Sequence, residues 1–134
     1  MGNRAVITTP EKKFGIYVHW NGGVESILAF AEVARSRGYR DPAGDASYGM
    51  ARLCGVLCEF FGPGGTGVGI GAIDELGTDN QDNGTYVLGT DWRIIERYGS
   101  GSEPTSKLEQ LGAEGRAKYD RMVKQLSAAT QVPV

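Results

Sequence analysis

The sequence predicts an α+β domain, an antiparallel sheet covered by helices. Three observations predict it: short β-branched runs at Ala5–Thr9 and Thr85–Leu88, apolar residues at helical spacing between them, and an element order β-β-α-α-β-β-β-α without strict alternation. Segregated strands and helices favour helices gathered on an antiparallel sheet over a doubly wound parallel one. At 134 residues the chain has the common length of one domain and can bury a core without disulfides.

Ala5–Thr9 is the first strand, and Pro10-Glu11-Lys12-Lys13 turns the chain into a second, Phe14–Trp20, to make a hairpin. Asn21-Gly22-Gly23 stops it. Val24, Ile27, Leu28, Ala31 and Ala34 then share one helical face, and Gly38 ends that helix after Arg37. Asp45 or Ser47 caps a second helix over 48–61, whose apolar stripe runs through Met50, Leu53, Cys54, Leu57, Phe60 and Phe61 until Gly62-Pro63 breaks it. From Gly67 to Ile73 glycine alternates with Val68, Ile70 and Ala72, the period of a strand with one face almost bare of side chains. Such a face implies a close neighbour: a ligand, a ring, a helix or another subunit. Asp82-Asn83-Gly84 is a turn before Thr85–Leu88, and Gly89-Thr90-Asp91 connects that strand to Trp92–Tyr98 in a second hairpin. Leu108, Leu111, Tyr119, Met122, Val123 and Leu126 fit a last helix despite Gly112 and Gly115. The organisation expected is a core domain over 1–99, a linker over 100–104, and a C-terminal helix over 105–129 packed on the core or on a partner chain.

A formal net charge of −2 lacks the basic excess with which proteins grip a duplex by its phosphates, so no duplex nucleic acid is expected. No apolar run approaches the roughly 20 residues of a membrane span, and MGNRAVITTP has no signal-peptide core, so the expected place is the cytoplasm. Cys54 and Cys58, one helical turn apart, suit a reducing compartment better than a disulfide. Two cysteines and one histidine fall short of a zinc ligand set, and DNQDNG (Asp79–Gly84) starts like a calcium loop but has Thr90 where a bidentate glutamate belongs. Neither metal nor cofactor is expected.

Two stretches invite a ligand. FFGPGGTGVGIG (Phe60–Gly71) contains G-x-G-x-x-G, yet a dinucleotide loop needs a strand before its glycines and a helix after them, and here the order is reversed. Gly62–Gly65 therefore reads as a helix C-cap and tight turn. His19-Trp20-Asn21-Gly22-Gly23 has the productive order of strand, turn and helix start. Its glycines leave the first amides of the helix open to an anion, Trp20 can stack on a base, and Asn21 can read the base edge. The plainer alternative makes Trp20 a core residue, Asn21 the helix cap and His19 a local hydrogen-bonding group. Arg52, near the Tyr48-Gly49 helix start, is open to a buried acid or a phosphate, and Arg4 to a site on a neighbouring chain. The candidate ligand-binding set is Arg4, His19, Trp20, Asn21, Gly22, Gly23, Tyr48, Arg52, Gly65 and Asn83. No catalytic set stands out: both thiols lie on the apolar stripe, and Asp74, Glu75, Asp79 and Asp82 share one loop without pairing across a cleft.

GNRAVIT, YVHWNGG, YGMARL, CEFFG, GVGIG and DNGTYVL, in this order and spacing over about residues 2–98, resemble a group of small phage and prophage proteins. The α+β layout with a helix pair is also similar to the Thoeris anti-defence sponges. That resemblance implies an oligomeric, non-enzymatic counter-defence protein that holds a cyclic nucleotide or cyclic ADP-ribose immune signal inside the infected cell without cleaving it. Two alternatives stay open: an anti-CRISPR-type inhibitor that docks on a host defence effector through the loop Asp74–Asp82, and an enzyme that degrades a nucleotide signal with His19 as acid or base. A homo-oligomer is expected because Phe60, Phe61, Trp92 and Tyr98 cannot all be central in so small a core.

Overall fold

Two four-residue strands bury every side chain, which places them in the middle of the sheet. They are β1 (Ala5–Thr8) and β4 (Thr85–Leu88) in the computed structural model, which describes residues 2–62, 67–99 and 105–129. With β2 (Phe14–Val18), β3 (Val68–Ala72) and β5 (Ile94–Tyr98) they form one open sheet of order β3-β2-β1-β4-β5. The class is α+β, as the segregated pattern predicts. The sheet is mixed rather than wholly antiparallel: β1 pairs with β4 in parallel, Ile7 opposite Tyr86, while the β1–β2, β2–β3 and β4–β5 pairs are antiparallel. AVIT and TYVL carry no charge and bury even Thr8 and Thr85, the trace of that arrangement, since strands covered on both faces lose polar alternation. The second hairpin is shorter than expected. Thr90–Trp92 forms a 3₁₀ turn, because the Trp92 indole is buried and its Nε1 donates to the Tyr39 carbonyl at 2.9 Å.

Helices α1 (Val24–Ser36) and α2 (Ala46–Phe61) cover one face of the sheet, setting Ile27, Phe30, Leu53 and Leu57 against Ile7, Ile16, Tyr86 and Leu88. Asp45, not Ser47, caps α2; its side chain accepts from the Tyr48 amide at 3.1 Å. The last helix, α3 (Ala113–Ala129), begins after a separate 3₁₀ turn at Leu108–Gln110 and lies on α1 through Tyr119, Met122 and Leu126. Phe60 and Phe61 ring-pack with Phe30 at 5.5 and 6.2 Å, and Trp92 is buried in the same core. The aromatic surplus expected to drive oligomerisation is thus largely absorbed within one chain. No helix among the described residues is long and apolar enough to cross a membrane. The proposed linker, 100–104, lies outside the described residues.

Arg37 ties the three helices together. Its guanidinium forms a fork with Glu59 on α2 at 2.7 and 2.9 Å and donates to the Leu126 carbonyl on α3 at 3.2 Å. The hydrogen bonds from Arg37 hold the Glu59 carboxyl below its usual range against the opposing effect of burial. A carboxylate with a depressed folded pKa stabilises the fold above the ordinary glutamate value of about 4.3, and that contribution is lost as pH falls through the folded value. Glu59→Gln should therefore lower stability at pH 7 by up to about 1 kcal/mol, as partly exposed pairs do. The deficit should close as urea midpoints are measured at progressively lower pH, because protonated Glu59 and glutamine are then alike.

On the opposite face of β2 and β3, the chain's own loop 73–84 supplies two side chains. Leu76 packs on Gly71, where an added Cβ would sit 3.1 Å from Leu76 Cδ2, and Ile73 reaches to 3.4 Å from the same position on Gly15. Of the glycine face, Gly71 thus answers to the aliphatic loop and Gly67 to the indole, since a Cβ on Gly67 would sit 3.4 Å from Trp20 Cδ1. At Gly69 no described residue comes within 4 Å of the same position. The loop is held by Asn80, whose Oδ1 accepts from the amides of Asp82, Asn83 and Gly84 and whose Nδ2 donates to the carbonyls of Gly77 and Gly84.

Candidate functional site

Loop 77–84 and the turn after β2 converge at one end of the sheet. The His19 amide donates to the Gly67 carbonyl at 2.8 Å, and the His19 carbonyl accepts from the Asn3 amide at 2.8 Å, so the residue is clamped between two neighbouring chain segments. Its Nδ1 lies 2.9 Å from the Tyr17 hydroxyl. Trp20 is 47 % exposed and meets the His19 ring edge-on at a centroid distance of 4.8 Å. The alternative of a core tryptophan does not hold. Asn21 takes φ 60°, a left-handed conformation that asparagine tolerates, and its Nδ2 donates to Ser26 Oγ at 3.4 Å. It stands outside the cap, which is Gly23, and no side chain caps α1.

Gly22 is shaped by packing. Its amide donates to the Asn3 carbonyl, its carbonyl accepts from the Tyr86 hydroxyl, both at 2.8 Å, and a Cβ there would lie 2.5 Å from the Asn3 carbonyl oxygen. At Gly23 a Cβ would overlap the Glu25 carboxylate, which curls over the start of α1 and has Lys118 Nζ at 3.6 Å. A carboxylate in the first turn already complements the helix dipole. The phosphate seat expected at Gly22-Gly23 would therefore meet like charge from Glu25, a residue whose reach back over the helix start only coordinates reveal.

A recess of about 370 Å³ opens beside the clamp, lined by Gly2, Arg4, His19 and Asp82. The Arg4 amide and Nε both donate to Asp82 Oδ2 at 2.9 Å. These bonds hold the Asp82 carboxyl below its usual range and push the Arg4 guanidinium further up. The Nη groups of Arg4 have no hydrogen-bond partner among the described residues, and its side chain is 39 % exposed. Asn83 is occupied: its Nδ2 donates to Asn3 Oδ1 and to the Arg4 carbonyl, and so fastens the N-terminal segment to the loop.

Tyr48 and Arg52 lie elsewhere. Arg40 and Arg52 flank the Tyr48 ring with guanidinium carbons 4.0 and 5.3 Å from its centroid, and Tyr39, just past the end of α1, stacks on it edge-on at 6.4 Å. The 13 residues of α1 separate this cluster from the His19–Trp20 turn by about 18 Å along the helix. One chain therefore does not bring Arg52 to the Gly22-Gly23 turn, contrary to the expectation. Gly65 lies outside the described residues. The structure gathers Arg4, His19, Trp20, Asn21, Gly22, Gly23 and Asn83 at one end, with Arg4, His19 and Trp20 presenting side chains at the surface or recess. The sequence reading missed Asn80, Tyr17 and Asp82 as partners. The DNQDNG turn carried a signal for Asn80 and Asp82, whereas nothing local links Tyr17 to His19 beyond their alternate positions along one strand.

A groove of about 430 Å³ lies between α1, α3 and the two 3₁₀ turns. Its rim mixes the Glu32–Arg35 pair with Asp91, Arg93, Lys107 and Glu109, so it offers no field of one sign to an anion. Among the other chemical groups, burial pushes the Cys54 thiol up and keeps it protonated, while Cys58 is exposed rather than on the buried stripe. No group of three or more metal-ligating side chains occurs among the described residues. Compared with protein-family models, curated proteins and solved structures, the chain matches none of them.

Proposed function

We propose that the protein is a non-catalytic binding module that holds a small nucleotide-derived signal at the His19–Trp20 end of the sheet, the counter-defence role that its resemblance to small phage proteins implies. The single observation that supports this most is an indole 47 % exposed beside a recess walled by Arg4, His19 and Asp82, in which Arg4 offsets the Asp82 charge. An exposed large aromatic gives a base a stacking surface, and the unengaged Nη groups of Arg4 give a phosphate its donors. Arg4, rather than the start of α1 or Arg52, is the phosphate contact in this reading. Hydrolysis has weaker support: the carboxylate that lines the recess with His19, Asp82, is bonded through Oδ2 to the Arg4 amide and Nε.

Calorimetric titration with cyclic dinucleotides, cyclic trinucleotides and cyclic ADP-ribose isomers tests the reading. Binding by one class is expected, with the ligand recovered intact by mass analysis after heating. Trp20→Ala should weaken that binding about tenfold or more, since stacking of a base on an aromatic ring contributes about 1–3 kcal/mol, and should lower the melting temperature only slightly, because the indole is about half exposed. Silence across all classes at high micromolar protein, or a cleaved product, would refute it.

A second reading, an inhibitor that docks on a host defence protein, is favoured by the exposure of both Trp20 and Ile70 together with the exposed acids Asp74 and Glu75. Its acidic loop carries less free charge than the sequence suggests, because Asp82 is committed to Arg4.

A further inference from the structure

β3 closes one side of the sheet, and its inner side meets β2 with Gly69 opposite Tyr17 and Gly71 opposite Gly15. Hydrogen bonds from the His19 amide to the Gly67 carbonyl and from the Ile73 amide to the Lys13 carbonyl fix the phase of the ladder. Bonded pairs recur at every second residue of an antiparallel ladder, so the odd-numbered residues of β3 bond to β2 and the even-numbered ones, Val68, Ile70 and Ala72, point their amides and carbonyls outward. The Ala72 carbonyl is already taken by the amides of Glu75 and Leu76.

We propose that this edge joins two copies of the chain through an antiparallel β3–β3 pair centred on Ile70, which makes one continuous sheet across a two-fold axis. The outward phase admits that register directly. Ile70 of each copy exchanges both backbone bonds with the other, and the Ala72 amide of each reaches the Val68 carbonyl of its partner. Gly69 then faces Gly71 of the partner in the non-bonded pairs, where strands come closest, and at Gly69 no described residue comes within 4 Å of the position of a Cβ. The two Ile70 side chains, each 67 % exposed in the single chain, cover one another.

A second copy fits this edge better than a foreign strand or an open filament. VGIGA carries no charge, proline or bulge, the devices with which sheet edges usually discourage pairing. The opposite edge, β5, is guarded: Glu96 pairs with Lys12 at 2.9 Å, and Arg97 donates to the carbonyls of Asn83 and Thr105. Pairing of β3 on β5, which would propagate head to tail, is therefore discouraged, and the closed two-fold pair remains.

The test is sedimentation velocity together with residue-resolved hydrogen exchange, on the full chain from about 10 µM to 1 mM, because a five-residue pair buries little surface and associates weakly. Dimer is expected to grow with concentration, and the Ile70 and Ala72 amides should gain protection with it, whereas Gly69 and Gly71, bonded within the chain, should be protected throughout. Ile70→Lys, which places two ammonium groups on the axis, should lower the association constant at least about tenfold. Ile95→Lys on the guarded edge, where Ile95 is 57 % exposed, should leave it unchanged. A monomer at 1 mM, a dimer indifferent to Ile70→Lys, or an Ile70 amide that exchanges freely in the dimer would each overturn the proposal.

Discussion

Replacing Asn80 by alanine is expected to lower the stability of the fold by about 3–4 kcal/mol, as each buried polar group left without a partner costs about 1–3 kcal/mol and some regain water. Asn80 is 6 % exposed, and its Oδ1 accepts at 3.1, 3.2 and 3.0 Å from the amides of Asp82, Asn83 and Gly84. Its Nδ2 donates to the carbonyls of Gly77 and Gly84 at 3.1 and 3.0 Å. Alanine strands the amides of Asp82 and Gly84 and the Gly77 carbonyl, whereas the Asn83 amide keeps the Arg4 carbonyl and the Gly84 carbonyl keeps the Val6 amide. Asn80→Asp would be no rescue, because a carboxylate keeps the acceptor but turns its second oxygen toward two carbonyls. The same loop carries Asp82 to Arg4 and Asn83 to Asn3, so Asn80→Ala should also loosen the recess. Urea unfolding at neutral pH is the measurement, and a loss below about 1 kcal/mol would show that the loop holds without its hub.

Gly22→Ala is expected to lower stability by about 2–4 kcal/mol, through overpacking of about 1–3 kcal/mol and the hydrogen bonds it disturbs. The added methyl would lie 2.5 Å from the Asn3 carbonyl oxygen and 2.8 Å from Ala5 Cβ. Neither neighbour can yield, since Ala5 opens a strand that is buried on both faces and bonded on both sides. Moving Gly22 instead would pull its carbonyl from the Tyr86 hydroxyl at 2.8 Å. Gly55→Ala is the contrasting control: Gly55 sits in mid-helix with nothing within 4 Å of the added atom, so alanine there should stabilise by about 0.5–1 kcal/mol. If both substitutions prove harmless, Gly22 is free for a ligand after all, and the reading of that turn as a packing device fails.

The strands and helices were legible because each carries its own period. Val24 to Ala34 and Met50 to Phe61 repeat at helical spacing, and the alternation of Val68, Ile70 and Ala72 with glycine marks β3. Boundaries slipped where a tertiary contact outweighed local preference, as at Trp92, drawn out of a strand by the Tyr39 carbonyl. Of the candidate site, the exposure of Trp20 and the proximity of Arg4 follow the reading of the sequence only in part. The turn did present Trp20 outward, but Arg4 came to it through β1 and the Asn80 loop rather than from another chain.

What the sequence determined by itself is the list of elements, their α+β class and the presence of a glycine-opened turn after β2, because hydrophobic period and backbone freedom act over a few neighbouring residues. Tertiary structure alone decided that β1 runs parallel to β4, that Glu25 closes the start of α1, and that Tyr48 and Arg52 stand a helix length from Trp20. Strand order and side-chain reach depend on contacts between residues far apart in the chain, where no local pattern records which surface will meet which.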